Sequence, residues 1–145
     1  MDDSIKAKIN LKIDKLVDNS SLLLSKCNIS EPDFIELNAI GSILHSYYCG
    51  IESIFNLIYK STYEKTLSGN TWHSILFTDM FEKTDKHEPI LPRELFQPLK
   101  EYLGFRHVFR HAYGYELDWK KLNPLFMSLT ENWKTVKQAF HEFIS

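Results

Sequence analysis

The spacing of apolar residues predicts helices along nearly the whole chain. Residues 3–26 carry Ile5, Ile9, Ile13, Leu16 and Leu23 at intervals of three, four and seven, with lysines and aspartates between them. That is the pattern of one buried face on a 3.6-residue repeat. Asp2 or Asp3 can cap the start. The stretch "NISEP" at 28–32 is a break. Ser30 suits an N-cap, and Pro32 suits the first helical turn, where its missing N–H costs nothing. A long helix follows over roughly 32–60. Its stripe of Phe34, Leu37, Ile40, Leu44, Tyr47, Ile51, Ile54, Phe55 and Ile58 is wide enough to predict a central helix.

Asn70 or Thr71 can cap a short helix over 71–82, with Trp72, Ile75, Leu76 and Met80 on one face. The charged, proline-containing segment 82–92 predicts a loop. Pro92 can open a fourth helix running to about Ala112, and Gly114 suits its end. Asn123 and Pro124 predict the start of a last helix to the C-terminus. No run alternates at period two over a useful length, so no strands are expected. The fold class expected is all-α: an antiparallel bundle of four main helices plus a short one, forming a single domain over residues 1–145.

Composition narrows the function classes. Apolar residues make up 43% and aromatics 14% of the 145 residues, enough for a packed core and unlike a disordered chain. A net charge of −2 argues against coating nucleic acid through a broad basic face, so any work on nucleic acid must be local. Cys27 and Cys49 are too few for a four-thiolate zinc site, and free, buried thiols are expected. The first ten residues contain no apolar run of the signal-peptide kind. The longest uncharged stretch, between Glu36 and Glu52, is shorter than the ~20 apolar residues a membrane span needs. A soluble, cytoplasmic protein with no membrane association is expected.

One stretch departs from the plain core pattern: "GFRHVFRHAYGYELDW", residues 104–119. On an ideal helix with Arg106 at 0°, Arg110 falls at about 40°, Tyr113 at about −20°, His107 at about 100° and His111 at about 140°. Phe105, Phe109 and Ala112 fall between about −120° and −60°, with Val108 near 200°. One arc is thus apolar and is expected to face the bundle, while the other gathers two guanidiniums, two imidazoles and a phenol. Guanidiniums grip phosphate oxygens in pairs and offset charge building in a transition state. Imidazoles take and give protons near neutral pH. Such a set can cleave RNA without metal. Arg106 and His111 lie about 140° apart, however, and do not converge on one phosphate. Either the helix is distorted between them, or a second copy of the chain completes the site.

Two other readings apply to the same residues. Histidines four apart can bind zinc, but Val108 stands where the helical protease motif has glutamate, and no third ligand is evident. A merely solvated helix face is the bland alternative. No metal and no cofactor are expected.

The spacing Arg106, His111, Tyr113 on a chain of this kind resembles the HEPN superfamily, and more closely the HepT-type toxins. Flanking segments agree: "YYCGIESIF" at 47–55, "WHSIL" at 72–76, and the charged stretch itself. The resemblance covers about residues 35–125. It implies a homodimeric, metal-independent endoribonuclease, the toxin of a type VII-like toxin–antitoxin pair, with transfer RNA as one substrate class. It also implies a partner, a nucleotidyltransferase antitoxin of the MNT type that silences the toxin by transferring AMP to Tyr113. By this resemblance Arg106 and His111 are the catalytic residues. His107, Arg110 and Glu52 are candidate supports, with Glu52 pairing an arginine from an otherwise apolar helix face. Many HepT proteins carry asparagine after the motif arginine where this chain has His107, which leaves the division between acid and base open. Tyr47, Tyr48, Trp72 and Trp133 are expected in the core, and His45, His73, His87 and His141 receive no role. A non-catalytic HEPN module that binds nucleotides or a partner is the alternative from another class.

Overall fold

The computed structural model describes residues 1–26, 32–111 and 117–145. Six α-helices and one 3-10 turn, Arg93–Leu95, account for its regular structure, and no strand occurs among the described residues. The helices are α1 (Asp3–Lys26), α2 (Phe34–Tyr63), α3 (Trp72–Phe81), α4 (Phe96–His111), α5 (Trp119–Met127) and α6 (Leu129–Ile144). The expected all-α class holds.

α2 is the axis of the bundle, as its wide apolar stripe predicts. Ile40, Leu44, Tyr47, Tyr48, Ile51, Ile54, Phe55 and Ile58 are all buried along it. So wide an apolar face needs cover over most of the helix, and α1, α3, α4 and α5 all pack on it, leaving Ser42, Ser46 and Lys60 exposed. Side-chain neighbours give the directions. Leu16 of α1 meets Gly50, while Met1 shares a hollow with Ser61 and Thr62, so α1 runs antiparallel to α2. Arg106 meets Glu52 and Phe109 meets His45, so α4 is antiparallel as well. Tyr47 packs on Trp133 and Phe55 on Phe140, so α6 runs parallel to α2 and opposite to α1 and α4.

Helix starts follow local chemistry. The Asp2 carboxylate accepts the Ser4 N–H at 2.9 Å, the expected cap for α1. For α2 the cap is Asp33, not Ser30. Its side chain accepts the Glu36 N–H at 2.8 Å, and Glu36 accepts the Asp33 N–H at 3.3 Å in return, a reciprocal box. Pro32 therefore lies outside the helix, and Ser30 and Cys27 lie outside the described residues. Pro92 opens the short 3-10 turn rather than α4 itself. Gly114 also falls outside the described residues.

The last third corrects the sequence expectation most clearly. There is no single helix from Asn123. Asp118 caps α5 by accepting the Lys120 N–H at 3.0 Å, and Pro124 lies inside that helix. The chain breaks at Ser128 and resumes as α6. The Ser128 hydroxyl donates to the Pro124 carbonyl at 2.8 Å, and the buried Tyr102 phenol donates to the Leu125 carbonyl at 2.7 Å. Asn132 of α6 donates to that phenol at 3.2 Å. Carbonyls released by the break thus find partners, as buried backbone groups must.

Loop 82–92 is a loop as expected, but it is anchored. Ile90 and Leu91 are buried, and both their N–H groups donate to the Met80 carbonyl at 3.0 Å. His87, with its side chain only 6% exposed, places Nε2 3.0 Å from an Asp79 oxygen. Its Nδ1 lies 2.7 Å from the Glu88 carbonyl. Tyr63 donates to the other Asp79 oxygen at 2.7 Å, which closes a network over α2, α3 and the loop. Truncating His87 to alanine leaves Asp79 without its partner from the loop. His87→Ala should lower the unfolding free energy by about 1.5–3 kcal/mol, the range for a hydrogen bond to a charged group. Urea denaturation measures it; a loss below about 0.5 kcal/mol, the level of an ordinary surface change, would mean that the network does not hold the loop.

Candidate functional site

The charged stretch begins on the last turns of α4. Leu99, Tyr102 and Phe105 bury one face of that helix against the bundle. Arg106 follows at the seam with α2. Two features let α4 come close there. Gly41 presents no side chain, and a Cβ at that position would stand 3.0 Å from the Phe109 ring and 3.1 Å from Leu117 Cδ1. His45, one turn further along α2, stacks on Phe109 with ring centres 4.9 Å apart.

Glu52 is the buried carboxylate at this seam, its side chain 7% exposed. Its two oxygens have different neighbours. Oε2 accepts from His73 Nδ1 at 2.8 Å. A carboxylate oxygen accepts only, so Nδ1 carries that proton. Oε1 lies 3.8 Å from Arg106 Nε, an ion pair too long to be a hydrogen bond. Arg106 Nε is buried with no hydrogen-bond partner among the described residues. The expected arginine pairing of Glu52 is therefore real, and the arginine is Arg106, 14% exposed at its side chain. Tyr48 is buried beside the pair. Burial first, and then the Glu52 charge, push its phenol far above the ordinary tyrosine range.

The remaining candidates are arranged differently. His107, Arg110 and His111 are exposed. The two imidazoles lie together, with ring centres 4.6 Å apart. No ion pair involving Arg110 occurs among the described residues. Arg106 turns toward α2 while the two histidines lie on the open side of α4, so the angular separation expected from the sequence persists. Val108 corrects the expected apolar arc: it is 52% exposed. Tyr113 lies outside the described residues. Of the expected core aromatics, Tyr47 and Tyr48 are buried and Trp72 and Trp133 partly so. Cys49 is free, as expected, but half-buried rather than buried. No group of three or more metal-ligating side chains occurs among the described residues.

Two histidines given no role in the sequence reading belong to this region. His73 reaches Glu52 from α3, 21 residues further along the chain. The one available signal was Glu52 itself, since an acid on an apolar face demands a partner. His45 lies half-buried on α2 with its Nε2 3.6 Å from Cys49 Sγ. Burial, followed by the fields of Arg106 and Arg110, lowers its proton affinity below the usual imidazole range.

The lowered His45 value has a definite sign. The unfolded chain holds an ordinary imidazole of pKa ~6.5, so acid protonates the unfolded state first. Stability from this group is complete above that value and is lost as pH falls through the lowered folded value. His45→Gln removes the titration. The variant should lose less stability than the parent between about pH 7.5 and pH 5, measured by urea unfolding at each pH. Parallel losses in the two proteins would show that His45 does not contribute.

No curated protein and no solved structure matches the chain. A family model described as HepT-like protein does match, over residues 39–145, which takes in α2 from its second turn, all of α3 and α4, and the C-terminal helices. With Glu52, His73, Arg106, His107, Arg110 and His111 all inside that span, the chain belongs to the HepT-like family of the HEPN superfamily.

Proposed function

We propose that the protein is the toxin of a HEPN/MNT toxin–antitoxin pair and acts as a metal-independent endoribonuclease. One observation carries the reading: Arg106 is set at the α2–α4 seam by a buried carboxylate, while two histidines stand exposed on the same two turns of helix. The ion pair is longer than a hydrogen bond, so the guanidinium fork is not consumed by Glu52. A phosphate can still be gripped by it.

In the proposed reaction a histidine takes the proton of the ribose 2′-hydroxyl. The 2′-oxygen attacks the adjacent phosphorus, and an acid protonates the departing 5′-oxygen. The products are a 2′,3′-cyclic phosphate and a free 5′-hydroxyl. Arg106 offsets the charge that accumulates on the phosphoryl oxygens, and Arg110 adds cationic field. His111 is the principal acid/base group, with His107 beside it to share or relay the proton. Because Arg106 and His111 diverge on one helix, the working unit is a homodimer in which two such helices face one cleft. Transfer RNA is the proposed substrate class.

His111→Ala should slow cleavage of RNA by about 10²–10⁴-fold, the usual weight of a general acid/base. Arg106→Ala should cost about 10²–10³-fold. Cleavage is expected to survive EDTA and to leave cyclic phosphate ends, on a species that light scattering reports as a dimer. RNA bound but not cut would favour the binding-module reading instead. Activity lost on chelation would exclude the metal-free route, and an active monomer would exclude the shared cleft.

The antitoxin of this reading is an MNT-type nucleotidyltransferase, and its target is Tyr113. The phenol oxygen attacks the α-phosphorus of ATP, pyrophosphate leaves, and a phosphodiester joins AMP to the ring. Tyr113 follows Arg110 by three residues and His111 by two. The new anion enters the cationic surroundings that must receive RNA and pairs with the same guanidiniums. Tyr113→Phe should retain nuclease activity yet gain no mass on co-expression with the antitoxin, as read by intact-mass spectrometry. AMP found on Tyr115 with Tyr113 unmodified would overturn the assignment.

A further inference from the structure

We propose that His73 is a positioning residue for Arg106: by holding one oxygen of Glu52, it keeps the other at ion-pair distance and so leaves the guanidinium fork open for phosphate. The inference rests on the nuclease reading above and assigns a residue which that reading does not use.

The geometry sets up a competition. Glu52 is buried and offers two oxygens. An unrestrained carboxylate next to an arginine turns until both oxygens accept parallel N–H bonds from the guanidinium, the strongest arrangement open to the pair. That has not happened here. The Oε2–His73 bond is short, 2.8 Å, and the Oε1–Arg106 approach is long, 3.8 Å. His73 is itself well seated. Its ring stacks on Trp72 with centres 3.5 Å apart, at the start of α3, and its side chain is 21% exposed. The first turn of α3 is closed by the Ser74 and Ile75 N–H groups on the Thr71 carbonyl, each at 3.1 Å. The donor to Glu52 is therefore fixed by one helix and the acceptor by another. Without it, the carboxylate is free to swing onto Arg106 and occupy the nitrogens that phosphate needs. A misplaced catalytic group is costly even when every catalytic residue remains, on the order of 10²-fold per ångström.

Substitutions separate this role from a plain staple between α2 and α3. His73→Leu fills the space but donates nothing. His73→Asn places its amide nitrogen where Nδ1 stands, one bond beyond Cγ. His73→Gln carries its amide nitrogen one bond further out. Steady-state cleavage of RNA is measured for each, together with thermal unfolding, in the parent and in an Arg106→Lys background. The leucine variant should lose about 10–100-fold in kcat with a much smaller change in KM. The asparagine variant should recover most of that loss, and the glutamine variant should recover less. In the Arg106→Lys background the leucine change should cost no more than about twofold further, since residues acting through one another are not additive. Equal losses in both backgrounds would overturn the proposal, as would leucine and asparagine variants of equal rate. If the leucine variant fails to fold, the asparagine and glutamine variants decide alone, and equal rates between them overturn it. Arg106→Ala cleaving at the parental rate is a different failure: it removes Arg106 from the chemistry, and the nuclease reading with it.

Discussion

A carboxylate buried among Ile51, Ile54 and Tyr48 is costly unless it is paired, and the central part of the structure is arranged around that demand. Glu52 draws His73 from α3 and Arg106 from α4 to one point on α2. Such a cluster is a poor device for stability alone. Two charges taken from water recover their hydration only with good geometry, and a well-packed apolar replacement is often no worse. Here the ion pair is long and Arg106 Nε has no hydrogen-bond partner among the described residues. What the cluster does supply is position. Three helices that could slide on apolar contacts are held in one register by one polar point.

That register is supported on both sides of Arg106. Toward the start of α4, Tyr102 packs edge-on against Tyr47 with ring centres 5.3 Å apart and reaches the α5–α6 break with its hydroxyl. Toward the end, Phe109 fits the space left by Gly41 and stacks on His45. The apolar half of α4 thus fixes its rotation. Arg106 falls at the edge of the buried face, and His107, Arg110 and His111 are left in solvent. The distribution of charge follows from packing rather than from any attraction among the charged groups.

Much of this was legible in the sequence because it depends on periodicity. The apolar stripe of α2 announced a central helix, and the arc calculation placed Arg106 and His111 on diverging sides of α4. That Glu52 pairs an arginine is legible too, since an acid within an apolar stripe needs a cation; that the arginine is Arg106 comes from the packing of α4 on α2. The failures have a common cause. Local rules place proline in a first turn, which makes Pro124 an expected helix opener. The structure instead tolerates it within α5 and ends that helix at Ser128, where Tyr102 and Asn132 supply partners from elsewhere in the fold. His73 and His45 carried no local signature at all. Their roles depend on which residues of α2 and α4 they meet, and no spacing rule within their own segments encodes that. Val108 departs for the converse reason: its apolar side chain predicts burial, but it sits half in solvent at the edge of the hollow between α4 and α5.

The separation of Arg106 from the histidines is a consequence of what each group tolerates. A guanidinium keeps its charge in almost any setting, so it can be half-sunk beside a carboxylate and still face a phosphate as a cation. An imidazole that must exchange protons does not keep its affinity there. His45 is the internal control: placed in the same seam, it is held below the ordinary range by burial and by Arg106 and Arg110. A histidine in that position releases its proton readily and takes one up poorly. His107 and His111 stand clear of that seam, exposed on the open side of α4. On α4, then, the cation set in the seam and the two exposed imidazoles lie on different faces. A single α4 does not bring Arg106 and the two exposed imidazoles to one point.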